Sequence, residues 1–489
     1  MKNVYDCVIV GGGPVGLWLS CELRLAGLRV VVIERRTHRI NQSRALTLHG
    51  RTLEMLSLRG IEDRFLAVGK PVKAGHYAVL DTRLDFDIFD SRFPYTLFIP
   101  QEKTEALIEE FSLELGVELL RGAVAESVVV ENEVTVVRGM WNGPFEVAGH
   151  YVVGADGARS LVRSQTGLAF EGYPASGVWF MGDVILSSPP ETPLVSAFNE
   201  HGCILIAPLG DGVHHRIVVN EAGDRSKEKD GAVTLTELCE VTRRVAGSDF
   251  GAHSPMWLSR FGNETRLAEG YRRGNVFLAG DAAHIHLPAG GQGMNVGIQD
   301  AMNLGWKLAA VATGTAPKEL LDTYESERLP VGIYLRDTTM AQSHLITAFS
   351  ARGRALRGVF NDMLKVPAIN AYFANQVSGF AVQYPEPLPG FAPPRSGLVG
   401  NRLRDMPLRL SDGTDATLFG LLSKGQWLDL TICEGARAER PDWLHPHSVV
   451  EARGVPTAHA ATLRDIGAIL VRPDGYVAQT AVSLHGEKG

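Results

Sequence analysis

Apolar residues recur with two different periods along this 489-residue chain, and the change of period divides it. In residues 4–33, "VYDCVIV" is a short β-rich run and "VGLWLSCELRLAG" carries apolar residues at helical spacing up to Gly27. "LRVVVIE" is a second, fully apolar run, so the pattern predicts a strand–helix–strand unit. Residues 178–221 alternate instead. "VWFMGDVIL", "LVSAFNEHGCILIAPLG" and "HHRIVVNEA" read as strands, with turns at Pro189-Pro190, Gly202 and Gly210-Asp211-Gly212. "TRLDFDIFD" also alternates, setting Leu84, Phe86 and Ile88 against Asp85 and Asp87, and is assigned to the same sheet. "AVTLTELCEVTRRVAG" supplies the single helix of that sheet. The strand "NVFLAG" then leads through "GDAAHIHLPAGGQGMN" into the helical spacing of "VGIQDAMNLGWKLAAV". From Ala301 the chain reads as helical, with a break expected at Pro330. "YPEPLPGFAPPRSG" (Tyr384–Gly397) marks a linker. Beyond it, "TLFGLLSKGQWLDLTI" predicts a helix then a strand, and "DIGAILVRPDGYVAQ" two strands around an Asp-Gly turn.

Composition narrows the class. The length suits two or three domains, and 45 % hydrophobic residues can fill sizeable cores. The formal charge of −7, without a long basic run, gives no electrostatic footprint for nucleic acid. No apolar run reaches the roughly 18 residues of a membrane span. The opening "MKNVYDCVIVGGG" enters a strand at once, leaving no room for a secretory signal. Five scattered cysteines without CxxC are expected as free thiols in a reducing cytoplasm. His284 and His286 sit two apart and His214 and His215 are adjacent, but no third ligand is spaced to complete a metal shell, so no metal is expected.

The glycines carry the candidate chemistry. Gly11, Gly13 and Gly16 fit GxGxxG: the first for a tight turn, the second for close approach of a pyrophosphate, the third for helix–strand packing. The helix that follows offers unpaired N–H groups to the phosphate. Glu34 ends the second strand where a carboxylate can accept hydrogen bonds from a ribose diol. This unit alone leaves NAD and FAD open. A second glycine-rich segment some 270 residues later favours FAD, whose ribityl chain and ring need a second holder. Asp281 can accept from ribityl hydroxyls. Gly290, Gly291 and Gly293 can bring backbone N–H groups to the ring's pyrimidine edge, with a helix N-terminus aimed at the same place.

Three motifs, "GGGPVG" with Glu34, "VVGADGARSLVR" (Val152–Arg163) and "LAGDAAHIHLPAGGQGMN" (Leu278–Asn295), together resemble the FAD-dependent aromatic hydroxylases of the para-hydroxybenzoate hydroxylase type. "SRALTLHGRTLEML", "DTRLDFDIFDSRFPYTLFIPQEKTE" and "VAGSDFGAHSPMWLSRFGNETRLAEGYRRGNVFLAGD" look most like the hydroxylases of aromatic polyketides, such as anhydrotetracycline and angucyclinone hydroxylases, with rifampicin monooxygenase of similar build. The resemblance implies an α/β fold. Its parts are a Rossmann-like FAD-binding domain with packing helices (1–76, 98–177 and 270–383), an inserted antiparallel substrate sheet (77–97 and 178–269), a linker (384–397) and a thioredoxin-like C-terminal domain (398–489). That last domain lacks CxxC and leaves Cys433 alone, so packing or homodimerisation is its expected role.

By the same resemblance Asp156 and Gly157 serve FAD and NADPH, and Gly280, Pro288, Met294 and Asn295 line the cofactor with the glycines already named. Arg44 would lie near the phosphates and Gln101 near the ribityl chain; read bare, they are a loop charge and a helix N-terminal residue. The implied reaction hydroxylates a polycyclic phenol with O2 through a flavin C4a-hydroperoxide, walled by Pro288, Gly290 and Gly291, with no acid–base residue assigned. Baeyer–Villiger insertion, inactivation of a rifamycin- or tetracycline-like antibiotic, and an FAD-dependent reductase stay open beside it. Arg216 holds a substrate oxygen or lies on an exposed strand face.

Overall fold

The strand Tyr5–Val10 lies inside an eight-stranded sheet, flanked in parallel by Val30–Glu34 on one side and Pro144–Gly154 on the other. The computed structural model describes residues 4–39, 43, 45–131, 133–191, 195–223, 232–394, 396–456, 463 and 465–482. Cys7–Val10 and Val30–Ile33 are buried, as expected for parallel strands covered on both faces. Glu118–Arg121 and Val276–Leu278 extend the parallel run outwards. Pro144–Gly154 changes partners along its length. Its first half pairs antiparallel with Val134–Met140, and its second half joins Tyr5–Val10 and Val276–Leu278.

Two helices cross this sheet side by side. Pro14–Leu25 meets Gln292–Ala312, and glycine sets their approach: a Cβ on Gly297 would lie 2.6 Å from Val15 and one on Gly305 2.5 Å from Glu22.

A second sheet is antiparallel, in the order Val195–Asn199, Gly202–Pro208, His214–Glu221, Val178–Leu186, Ala252–Gly262. One face (Phe180, Ile204, Ile206, Ile217, Val219) packs on Leu238, Val241 and Val245 of the helix Leu235–Ala246, which Thr234 caps and left-handed Gly247 ends. The other face turns Trp179, Phe198, Val218 and Phe261 towards Leu287 and Ala289 of the glycine-rich loop.

Two expectations fail here. "TRLDFDIFD" forms only the two-residue strand Leu84–Asp85, paired with Ala74–Gly75 and not with the five-stranded sheet. Ile88 is 45 % exposed, and Phe89 takes the buried place. The chain turns after Phe86, whose carbonyl accepts the Phe89 N–H at 3.1 Å, so turn spacing replaces alternation and the two rings stack. The helix Asp322–Ile346 runs through Pro330 unbroken. Burial of Tyr324 and Arg328 before it, and of Gly332 and Leu335 after it, holds both halves in one groove and offsets the lost hydrogen bond.

The C-terminal sheet runs Asp415–Thr417, Pro407–Leu410, Val449–Pro456, Trp427–Thr431, Ile466–Val471, Val477–Val482, with only Trp427–Thr431 and Val449–Pro456 parallel. Its last turn, Arg472–Gly475, plugs into the main body. Arg472 pairs with Glu327 at 2.8 Å, Trp306 Nε1 donates to Asp474 at 2.9 Å, and Arg51 donates to the Asp474 carbonyl at 2.7 Å. The proline-rich stretch before this sheet is anchored: Tyr384 is buried against Tyr476, and its hydroxyl accepts from Arg328. Among the described residues no helix is long and apolar enough to cross a membrane.

Candidate active site

The three glycine-bearing motifs leave the main sheet at the carboxyl ends of three neighbouring parallel strands, where open α/β sheets bind ligands. Val10 is in register with Gly154, and Gly154 with Leu278. Backbone bonds continue beyond the strands, from Ala155 N–H to the Val10 carbonyl at 2.8 Å and from Ala279 N–H to the Gly154 carbonyl at 3.0 Å.

In the first turn the glycines divide their tasks. Gly11 has φ +110°, and a Cβ there would lie 2.2 Å from the Ala155 carbonyl oxygen. A Cβ on Gly16 would lie 2.0 Å from the Gly11 oxygen, so this residue lets helix sit on strand. Gly13 has an ordinary φ of −79° and faces open space. Nothing in the protein itself requires glycine there, which leaves room for a ligand at the helix N-terminus. The Glu34 carboxylate accepts from the Gly12 N–H at 2.7 Å and the Arg36 N–H at 2.9 Å. It therefore fixes the turn, and a carboxylate has lone pairs left for a diol.

In the second turn, Asp156 Oδ2 accepts from the N–H groups of Leu161 and Val162 at the start of the helix Leu161–Gln165, which Ser160 caps. Its Oδ1 is buried with no partner among the described residues, and burial raises the carboxyl's pKa. A buried orphan acceptor is costly unless a ligand meets it. Gly157, at φ +81°, faces open space beside it. Arg163 ties this turn to the third by donating to the carbonyls of Ala158 and Ala282.

The third turn is organised by Asp300, one helical face into Gln292–Ala312. Its carboxylate accepts from the Gly280 N–H at 3.1 Å, His284 Nε2 at 2.8 Å and Arg328 Nε at 2.7 Å. Burial opposes its charge, but Arg328 and His284 prevail and its pKa is lowered. Gly280 is left-handed and abuts Val15 of the first helix; Asp281 beside it is exposed. Gly290 and Gly291 have φ of +70° and +67°, and a Cβ on Gly291 would lie 2.2 Å from Thr47 Oγ1. His49 Nε2 donates to the Gly290 carbonyl at 2.7 Å, while its Nδ1 accepts from the Thr96 hydroxyl. Burial pushes the His49 pKa down to about 4 against the pull of that carbonyl, so the ring is neutral at pH 7. Asn295 clamps the loop, accepting from the His49 N–H and donating to the carbonyls of Thr47 and Gly291.

Other expected residues fall variously. Pro288 is exposed at the loop, Gly293 stands beside the His286 ring, and Met294 packs half-buried on the main core. Gln101 starts the helix Gln101–Glu114 and binds the Ala45 N–H and Glu105 with its amide. Arg44 lies outside the described residues. Arg216 follows neither reading: it is buried, pairs with Asp183 at 2.8 Å and reaches the Ser43 carbonyl. That tether joins the second sheet to the segment after the second strand, and a buried charge needs such a partner. His49, Asp300 and Arg328 gave no sequence signal of their own, since their partners lie 16 to 246 residues away. Among the described residues no group of three His, Cys, Asp or Glu could hold a metal.

Three turns at one sheet edge, with an open glycine, an orphan acceptor and two helix N-termini, define an enzyme built around an elongated dinucleotide cofactor. Residues 4–339 match the family model described as FAD binding domain, and residues 396–488 that described as aromatic-ring hydroxylase, C-terminal. The chain therefore belongs to the FAD-dependent aromatic-ring monooxygenases. It is 43 % identical over 486 residues to the uncharacterized aromatic compound monooxygenase YhjG of Bacillus subtilis (strain 168), spanning 98 % of this chain and 94 % of that protein. It is 40 % identical over 497 residues to the 12-dehydrotetracycline 5-monooxygenase/anhydrotetracycline 6-monooxygenase of Streptomyces rimosus subsp. rimosus, spanning 99 % and 97 %. Among solved structures, anhydrotetracycline hydroxylase OxyS from Streptomyces rimosus superposes with a TM-score of 0.88 at 38 % identity, covering 100 % of this chain and 97 % of that one.

Proposed function

We propose that this monooxygenase uses NADPH and O2 to hydroxylate an aromatic polyketide or related polycyclic phenol. One observation carries the reading: the open space at Gly13, the orphan oxygen of Asp156 and the exposed carboxylate of Asp281 share one sheet edge. Gly11, Gly13, Gly16 and Glu34 would hold the ADP half of FAD, with Arg44 and Gln101 assigned by family likeness. Asp156 and Gly157 come next. Gly280, Asp281, Gly290, Gly291, Gly293, Met294 and Asn295 would hold the ribityl and ring end. When bound, FAD would supply the redox chemistry by which two electrons from the nicotinamide reduce O2, one atom entering the substrate and the other leaving as water.

The chain's own part is holding and shielding. The helix Gln292–Ala312 presents its positive end at the loop, where negative charge is stabilised. Pro288, Gly290 and Gly291 wall the reacting place from water. Neutral His49 fixes the loop through the Gly290 carbonyl without adding charge. Trp179, Phe198 and Phe261 offer an aromatic surface suited to fused rings. The relatives acting on anhydrotetracycline support that substrate class, and family likeness supports NADPH.

The domain reading keeps the boundaries given above. A parallel strand pair followed by an antiparallel hairpin supports a thioredoxin-like C-terminal part. Five cysteines, four of them buried, suit a reducing compartment, the cytoplasm among them.

The test is to purify the protein, record its visible spectrum and screen polycyclic phenols for acceleration of NADPH oxidation. The expected result is a yellow protein that places one atom of labelled O2 in a phenol. A labelled ring ester would make it a Baeyer–Villiger enzyme, and turnover without O2 a reductase.

A further inference from the structure

We propose that Arg83 and His76 form a recognition pair for an ionised substrate oxygen, a phenolate or enolate, and so select acidic polycyclic phenols over their alkylated forms. The inference rests on the hydroxylase reading above.

Arg83 lies in the short hairpin between the first helices and the glycine-rich loop. Its Nη2 donates to Ser196 Oγ at 2.7 Å. Ser196 sits on the strand Val195–Asn199, whose Val195 and Ala197 pack on the helix-covered side of the second sheet. Alternation therefore turns Ser196 to the other face, the one that carries Phe198 towards the loop. The backbone around Arg83 is held from outside: Asn370 donates to the Arg83 carbonyl at 2.8 Å, and Asn361 accepts from the Thr82 N–H at 2.8 Å. The guanidinium is thus a placed group. Yet its Nη1 is buried with no partner among the described residues. The acidic side chains next along the chain, Asp81, Asp85 and Asp87, are exposed, and Asp87 is taken by Lys73; on the sheet, Asp183 is taken by Arg216. A half-buried cation whose buried donor is idle suits an anion.

His76 supplies the second contact. Its Nδ1 is also buried and without a partner among the described residues. Burial, then the charge of Arg83 and then His49, push its pKa down to about 4. A neutral imidazole can donate to or accept from a second oxygen. His49, which acts on His76, is itself bound to the Gly290 carbonyl. Gly75 pairs antiparallel with Leu84, so His76 and Arg83 follow that pair on facing strands, and Arg83 reaches the second sheet at Ser196. An idle guanidinium donor and an idle ring nitrogen there fit a phenolate with a neighbouring oxygen.

The probe is 1,2-dihydroxyanthraquinone, whose 2-hydroxyl is acidic, against its 2-methyl ether. Both are titrated into the FAD-loaded enzyme and followed by flavin absorbance. The wild type is expected to bind the free phenol about ten- to a hundredfold more tightly, the effect of a charged hydrogen bond. Arg83→Gln should bring the ratio close to unity. Ser196→Ala, which frees the guanidinium without removing it, should lower it severalfold and decides the matter where the Gln variant does not fold. An undiminished ratio in the folded variants overturns the pair, as does a wild type that binds both compounds alike or neither. The NADPH screen above decides the hydroxylase reading separately.

Discussion

Two buried polar regions of this molecule are built on opposite terms. Where the C-terminal hairpin enters the main body, charge meets charge: Glu327 holds both Lys307 at 2.7 Å and Arg472 at 2.8 Å, and Arg472 also pairs with Asp474. Around the glycine-rich loop, beyond the Asp300–Arg328 pair, several side chains are instead neutral or unfinished. His49, His76 and His286 are pushed down to about 4 by burial, and Thr47, His76, Arg83 and Asp156 each keep a buried atom without a partner among the described residues. The first arrangement pairs its charges with one another and serves the fold. The second is left open at a cost in stability, the mark of a place completed by a ligand.

The largest expected effect breaks the closed region. Glu327→Ala leaves Lys307 and Arg472 buried without their carboxylate and should cost about 3–5 kcal/mol of stability. The urea midpoint of the FAD-loaded enzyme measures it; a loss under about 1 kcal/mol, the range of a surface pair, would show that the interface is not held by charge.

A paired substitution sharpens the contrast inside the first turn. Gly11→Ala sets a methyl on the Ala155 carbonyl in a left-handed conformation, at about 1–3 kcal/mol for the backbone alone, and should impair folding and flavin uptake together. Gly13→Ala meets open space with a tolerated φ, so stability should move by no more than about 0.5–1 kcal/mol while flavin retention falls. Identical behaviour of the two variants in thermal melts and flavin assays would dissolve the distinction.

The most gradual effect is one of pH. A histidine held near 4 when folded takes its proton near 6.5 when unfolded, so the unfolded state binds more protons between those values. Stability is full above pH 6.5 and declines as pH falls towards 4, by on the order of 1 kcal/mol per unit for a single such ring. Glu327 behaves differently. Burial alone would raise its carboxyl, but Arg472 and Lys307 hold it down to about 2, so its contribution persists until pH falls below about 4.5. Mild acid should therefore loosen the flavin loop before the interface. Flavin fluorescence and melting followed from pH 7.5 to 4 will show this, and His49→Gln should flatten the slope; a first loss only below 4.5 would reverse the assignment.

Much of this was legible along the chain. Gly11, Gly13 and Gly16 with Glu34 announced a nucleotide turn because a turn, its glycines and its flanking strands are local features. The loop from Gly280 to Asn295 was readable for the same reason. Ile88 and Arg216 were misread because alternation tells which residues share a face, not what covers that face. His49 and Arg83 had no local signal at all.

By itself, then, the sequence determined the elements, the two glycine-rich turns and the family, since periodicity and backbone freedom are written within a few residues. Only the tertiary structure decided that Val10, Gly154 and Leu278 end side by side, that Asp300 fastens the third turn, and that Arg83 keeps a buried donor to spare. Those facts depend on which distant residue fills the space beside each group, and burial and pairing of that kind arise only when the chain closes on itself.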